Sequence, residues 1–167
     1  MKEKRKVILS LGSNIPDRKQ YLEKAIVELE KVFETQVVRS RIYETAPWGF
    51  ESEVPFLNCC VSFYSSCIPT DLLFVTKRIE KDLGRVKKSQ KNEYQSRVID
   101  IDILYVGELI VRTDELTLPH PQLYDRSFVL TPLIEICPAF VDPVKKQNIT
   151  AILETCNDKN SVILYEN

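Results

Sequence analysis

The chain has 167 residues, 44% of them apolar and 28% charged, with a formal net charge of −1. This is an ordinary globular balance, in a chain long enough to bury a core without staples. The near-zero charge excludes a whole-molecule field that would draw nucleic acid or an anionic membrane, so any anion site must be a local cluster.

Five cysteines, with no CxxC spacing, stand beside a single histidine, His120. A zinc site of the usual His/Cys kind is therefore not expected. We expect reduced, mostly buried thiols and a cytoplasmic protein. The opening MKEKRKVILSLGSN is basic and then apolar, but the apolar run stops at Leu11, too short for a signal peptide. No stretch approaches the roughly 20 apolar residues of a membrane span.

In chain order, Lys6 to Leu11 reads as a strand closed by the turn signal Gly12-Ser13-Asn14. Asp17 to Phe33 is a predicted helix whose apolar face is Leu22, Ala25, Ile26, Leu29, Val32 and Phe33. Gln36 to Tyr43 alternates and is β-branched, a second strand, and Glu44 to Pro55 is a loop. Phe56 to Ser66 is a third strand. A second helix opens at Pro69-Thr70, with Thr70 as its cap, and Gly84 stops it. Arg85 to Ser96 is a polar, basic loop. Arg97 to Val106 is a fourth strand, which Gly107-Glu108 turns into a short hairpin partner at Leu109 to Val111. Helices at Phe128 to Ile136 and Ile149 to Glu154 and a strand at Ser161 to Tyr165 complete the chain. Two β-α-β halves and a mixed tail predict an α+β fold. It is a single domain over 1–167 with a ferredoxin-like βαββαβ core, a mostly antiparallel sheet with helices packed on its faces. The helices of the two halves share one face.

SRVIDIDILYV, residues Ser96 to Val106, is the segment that carries chemistry. Asp100 and Asp102 interrupt an apolar strand, and a buried carboxylate is costly unless something pairs with it. Alternation puts both on one face, about 6.5–7 Å apart at Cα. There they can share one hard cation or each hold one of two. Ile99, Ile101, Ile103 and Tyr105 share the opposite face, which leaves the aspartates to line a cleft. Solvated acids on a half-exposed edge strand would give the same pattern. The company of Arg97 and of Arg85, Lys87, Lys88 and Lys91 in the preceding loop favours polyphosphate chemistry. Neither GxxxxGKS/T nor GxGxxG occurs, which excludes a P-loop enzyme or a protein-kinase fold. Trp48, Phe50 and Phe56 near Asn58 could sandwich a flat heterocycle or simply cap the core under a loop. His120, held between Pro119 and Pro121, could be a phosphate donor or a turn residue.

Taken together, Arg97-x-x-Asp100-x-Asp102-Ile103-Leu104 resembles the signature of the 6-hydroxymethyl-dihydropterin pyrophosphokinases of the folate pathway. The supporting segments follow in that family's order. They are Leu11-Gly12-Ser13-Asn14, Tyr43-x-Thr45-x-Pro47-x-Gly49, Phe56-Leu57-Asn58, Ile79-Glu80, Gly84-Arg85, Leu118-Pro119-His120 and Arg126-x-Phe128-x-Leu130-x-Pro132-Leu133. The resemblance implies transfer of pyrophosphate from ATP to the pterin hydroxymethyl group, with release of AMP. It implies two Mg²⁺ ions held by Asp100 and Asp102, and phosphate contacts from Arg85, Lys87 and Arg97. Glu80, His120 and Arg126 would lie at the nucleotide. Phe56 and Phe128 would stack the pterin, with Asn58 and groups near Thr45, Pro47 and Trp48 hydrogen-bonding it. The expected partners are these small molecules, with no nucleic acid, no membrane and a monomeric chain. Another Mg-dependent phosphoryl or nucleotidyl transferase, or a non-catalytic ferredoxin-like module, are the alternatives. The basic loop departs from the family pattern: Gln95-Ser96 stand where a small residue and a proline are usual, Lys87 and Lys91 replace arginines, and Tyr94 stands in for a tryptophan.

Overall fold

The computed structural model describes residues 2–46, 54–84 and 97–166. The strands are β1 (Arg5–Ser13), β2 (Val38–Arg39), β3 (Tyr43–Thr45), β4 (Phe56–Ser65), β5 (Asp100–Val106), β6 (Val111–Arg112), β7 (Thr117–Leu118) and β8 (Val162–Leu164). The helices are α1 (Arg18–Phe33), α2 (Pro69–Asp82), α3 (Ser127–Ile136) and α4 (Ile149–Glu154). The main sheet runs β5-β1-β4-β3-β8, with β2 also on β4, and these pairings are antiparallel.

Helices cover both faces. Leu22, Ala25, Ile26 and Leu29 of α1 and Leu72 and Ile79 of α2 pack on Val7, Leu9, Leu11, Cys59, Val61, Ile101 and Ile103. Val129, Leu130 and Leu133 of α3 and Ile149 and Ile152 of α4 pack on Ile8, Cys60, Leu104 and Tyr105 from the other side. The helices of the two βαβ halves thus share a face, as expected, and the tail supplies the second layer. Four cysteines are buried within these layers and Cys67 is partly exposed. Among the described residues no helix is long and apolar enough to cross a membrane.

Four expectations change. Tyr105 does not share the face of Ile101 and Ile103. A bulge shifts the β1–β5 register between Ile8 and Leu9, so that Leu9 pairs with Ile103 but Ile8 pairs with Tyr105. Leu104 is the extra residue, and both it and Tyr105 join the α3 layer. The strand expected at Gln36 to Tyr43 is broken into β2 and β3, and β3 runs on to Thr45. At the break, the Ser40 hydroxyl accepts the Cys60 N–H at 2.9 Å, taking a backbone carbonyl's place in the ladder. Helix α2 is capped by Ile68 with Pro69 in its first turn, not by Thr70. Proline's fixed φ and missing N–H suit that first position. The hairpin after Gly107 pairs β6 with β7, not with β5.

Candidate active site

Alternation along three strands builds the site. On the α3 side of the sheet, β1 presents Ile8, Ser10 and Gly12, β4 presents Cys60, Asn58 and Phe56, and β5 presents Leu104, Asp102 and Asp100. Ser10 pairs with both Cys60 and Asp102, and Gly12 with both Asn58 and Asp100. The first member of each row lies dry beneath α3 and α4. The others emerge where the helical layer ends, in a cavity of about 200 Å³.

That cavity is lined by Thr45, Phe56, Asn58, Arg97, Asp100, Asp102, His120, Arg126 and Phe128 of the expected residues. Ser10, Gly12, Ala46 and Gln122 complete it. Glu80 does not line it. It is buried on α2, where its carboxylate accepts the Ile101 N–H at 2.8 Å and lies 3.3 Å from Lys77 Nζ. Pro47, Trp48, Arg85, Lys87 and the rest of the basic loop lie outside the described residues.

Each polar side chain is held by local structure. Arg97 Nη1 donates to Asp100 Oδ2 at 2.9 Å. The Arg97 backbone is clipped to the end of β1: its N–H donates to Asn14 Oδ1 at 2.6 Å, and its carbonyl accepts the Asn14 N–H at 3.1 Å. Arg126 Nη1 lies 3.6 Å from Asp102 Oδ2, and its guanidinium sits 5.6 Å from the Phe128 ring centroid. Arg126 also donates to Gln122 Oε1. Asn58 Nδ2 donates to Thr45 Oγ1 at 2.8 Å. Gly12 leaves room for this amide, since a Cβ there would lie 3.0 Å from Asn58 Oδ1.

His120 is tied to the bulge, its N–H donating to the Leu104 carbonyl at 3.0 Å. Burial, then Arg126, lowers its pKa to about 4, so the ring is neutral at pH 7. Its Nδ1 accepts the Gln122 N–H at 3.2 Å, which leaves the ring proton on Nε2, 3.9 Å from Asp102 Oδ2. Asp102 behaves oppositely. Burial, then the charge of Asp100, raises its pKa to about 7, although a quarter of the side chain stays open at the mouth. A cation would relieve this repulsion. Among the described residues no group of three His, Cys, Asp or Glu side chains could hold a metal ion. Two hard oxygen donors, with water and substrate oxygens for the rest, suit Mg²⁺.

Residues 8–138 match the family model described as 7,8-dihydro-6-hydroxymethylpterin-pyrophosphokinase (HPPK). The chain belongs to the HPPK family. It is 47% identical over 133 residues to the 2-amino-4-hydroxy-6-hydroxymethyldihydropteridine pyrophosphokinase of Porphyromonas gingivalis, covering 79% of this chain and 90% of that protein. The Bacillus subtilis protein of the same name is 42% identical over 130 residues, 77% of this chain and 76% of the relative. The fold is that of the wild-type Plasmodium falciparum HPPK-DHPS solved with pteroate, at a TM-score of 0.72 and 15% identity. The match covers 91% of this chain and 42% of that longer chain.

In this HPPK-family chain a second cavity, of about 250 Å³, adjoins the first. Leu73 and Lys77 of α2, Ile101 and Ile103 of β5, and Thr113 to Thr117 of the β6–β7 hairpin line it. Asp102 and His120 line both cavities. Sequence reasoning did not assign Lys77, Gln122 or the hairpin to the site. The one signal for Gln122 was its place two residues after His120. Nothing in the sequence folded the hairpin back onto the free edge of β5.

Proposed function

We propose that this groove carries out pterin pyrophosphoryl transfer: pyrophosphate passes from ATP to the hydroxymethyl oxygen of 6-hydroxymethyl-7,8-dihydropterin, AMP leaves, and the product feeds folate biosynthesis. The observation that carries this reading is the junction of the two cavities at Asp102 and His120. A flat heterocycle fits the first cavity, between Phe56 and Phe128, with the Asn58 amide at its polar edge. The nucleoside of ATP fits the second, against Leu73, Ile103 and Leu116. The phosphates then cross the two aspartates.

Asp100 and Asp102 are the residues that would hold Mg²⁺, two ions in this reading. A metal held there would supply positive charge against the polyphosphate. The chain's own groups do the rest. Arg97 stands beside Asp100 and contributes a fixed positive charge to the bridging phosphates. Arg126 contributes another beside Asp102 while flanking the aromatic wall. His120 is a neutral donor through Nε2–H, so it brings no imidazolium charge to compete with a cation for Asp102. In the step itself a bond forms between the hydroxymethyl oxygen and the β-phosphorus. The bond from the β-phosphorus to the oxygen shared with the α-phosphorus breaks, the electron pair leaves on AMP, and the hydroxyl proton is released to solvent. Such a step asks for alignment and charge neutralisation. The bulge serves alignment, because it anchors His120 to the same strand that carries the aspartates.

The reading treats residues 1–167 as one catalytic unit acting in the cytoplasm as a monomer. The test is an AMP-release assay with Mg²⁺ and ATP, with and without pterin. Pterin-dependent AMP is the expected product. Pterin-dependent ADP would make it a simple kinase, and no pterin dependence would make the groove a binding site alone.

A further inference from the structure

Helix α3 begins at Ser127, between two groove residues, Arg126 and Phe128. Its own N-cap position, Arg126, makes no side-chain capping bond. The exposed N–H groups of a helix start need an acceptor. A residue 31 positions further on supplies it. Asp158 Oδ2 accepts the Ser127 N–H at 2.9 Å and the Ser127 hydroxyl at 2.8 Å. Its Oδ1 accepts the Asn160 N–H at 3.0 Å, which fixes the carboxylate's own rotamer. Burial would raise the Asp158 pKa, but the hydrogen bonds from Asn160 and Ser127 outweigh it and the pKa is lowered. The carboxylate is thus ionised, as the positive end of a helix favours.

We infer that Asp158 is a positioning residue for the pterin end of the groove, capping α3 from the tail and so fixing where Arg126 and Phe128 stand. Residue 158 lies beyond the span matched by the family model. The same tail braces the opposite wall. β8 pairs with β3 so that Val162 stands opposite Thr45, and the Tyr165 N–H donates to the Ile42 carbonyl at 2.9 Å. The tail thus reaches both walls of the pterin cavity, and at the start of α3 it does so through the Asp158 carboxylate. The inference rests on the assignment of Phe128 to pterin stacking.

The experiment measures the pterin Kd by fluorescence titration in the presence of Mg²⁺ and a non-hydrolysable ATP analogue. Phe128→Ala checks the underlying assignment and is expected to weaken binding. An unchanged Kd there overturns that assignment and this inference with it. Asp158→Ala is expected to raise the pterin Kd about tenfold, the scale of one lost hydrogen bond to a charged group. Asp158→Asn, whose amide oxygen still accepts, restores most of the affinity. Asn148→Ala is the control: Asn148 caps α4 by accepting the Ala151 N–H at 2.9 Å, away from the groove. It is expected to lower Tm comparably and leave the pterin Kd within about twofold. With Phe128→Ala weakened, a parental Kd in Asp158→Ala overturns the inference. So does an equal loss in Asn148→Ala, which would mean general loosening, or an Asp158→Ala chain that does not fold.

Discussion

The Glu80 carboxylate accepts the backbone N–H of Ile101 at 2.8 Å, on the residue between Asp100 and Asp102. β5 is the edge of the sheet, and this N–H points away from β1. A buried acid on α2 therefore closes an open edge at the position that sets the spacing of the two aspartates. Glu80→Ala is expected to lower kcat by about tenfold or more, the scale of a lost hydrogen bond to a charged group. Glu80→Gln keeps an acceptor and retains most of the activity. Steady-state AMP release with ATP and pterin varied separately decides the matter. A rise confined to the ATP KM in both variants would instead mark Glu80 as a nucleotide ligand.

The raised pKa of Asp102 has a cost in the metal-free protein. Its folded value is about 7 against 3.8 for the free side chain. A raised carboxylate favours the fold at low pH, and that advantage is lost as pH climbs from about 4 through 7. Asp102→Asn cannot ionise. It should therefore stabilise the chelator-treated protein at pH 8 by about 1–2 kcal/mol, well below the full linkage value because a quarter of the side chain meets water. At pH 4 the gain should vanish. Calorimetric Tm values at the two pH values test this, and an equal Tm for parent and variant at pH 8 would refute it. The same substitution, like Asp100→Ala, is expected to abolish AMP release.

Gly12 faces the Asn58 amide. A methyl group there would lie 3.0 Å from Oδ1, and the amide cannot swing freely because Nδ2 is held by Thr45. Gly12→Ala should weaken pterin binding about tenfold, the loss of one hydrogen bond of about 1–1.5 kcal/mol. ATP affinity should not change. Parallel titrations with each ligand separate the two effects, and equal weakening of both would point to a displaced strand instead.

Arg97 is clipped to Asn14 and donates to Asp100. Arg97→Ala is expected to slow transfer about 100-fold through the lost phosphate charge. Arg97→Lys should fall between, since an ammonium keeps the charge without the planar fork. Single-turnover rates at saturating ATP measure this directly, and an unchanged rate in Arg97→Ala would remove Arg97 from the phosphate site.

Much of the groove was legible because a strand's period of two is unambiguous. It placed Asp100 and Asp102 on one face and Ile101 on the other before any fold was known. The period failed where the backbone slipped by one residue. Nothing in Ile103-Leu104-Tyr105 announces a bulge, since all three side chains are apolar and any of them could be the extra one. Ser40 was equally opaque, because a hydroxyl that replaces a ladder carbonyl is indistinguishable in sequence from one that faces water. Glu80 was legible as a residue and not as a contact: its helix could be read, but not which backbone N–H it would meet. Asp158 lay 31 positions from the helix start it caps, beyond any local rule.

The distribution of the cysteines has a practical consequence. Burial pushes the Cys59 thiol up to about 12 and raises the Cys60 thiol well above the usual range, although Cys60 lies only two residues from Asn58 in the groove. Neither is a ready target for alkylation in the folded protein. Cys67 is partly exposed, just before α2, with a thiol raised by partial burial and by Asp71. A maleimide dye at mildly alkaline pH should therefore couple slowly and at one place. That gives a spectroscopic handle at the head of the helix whose other end leads into the basic loop, with no cysteine to be engineered in or out.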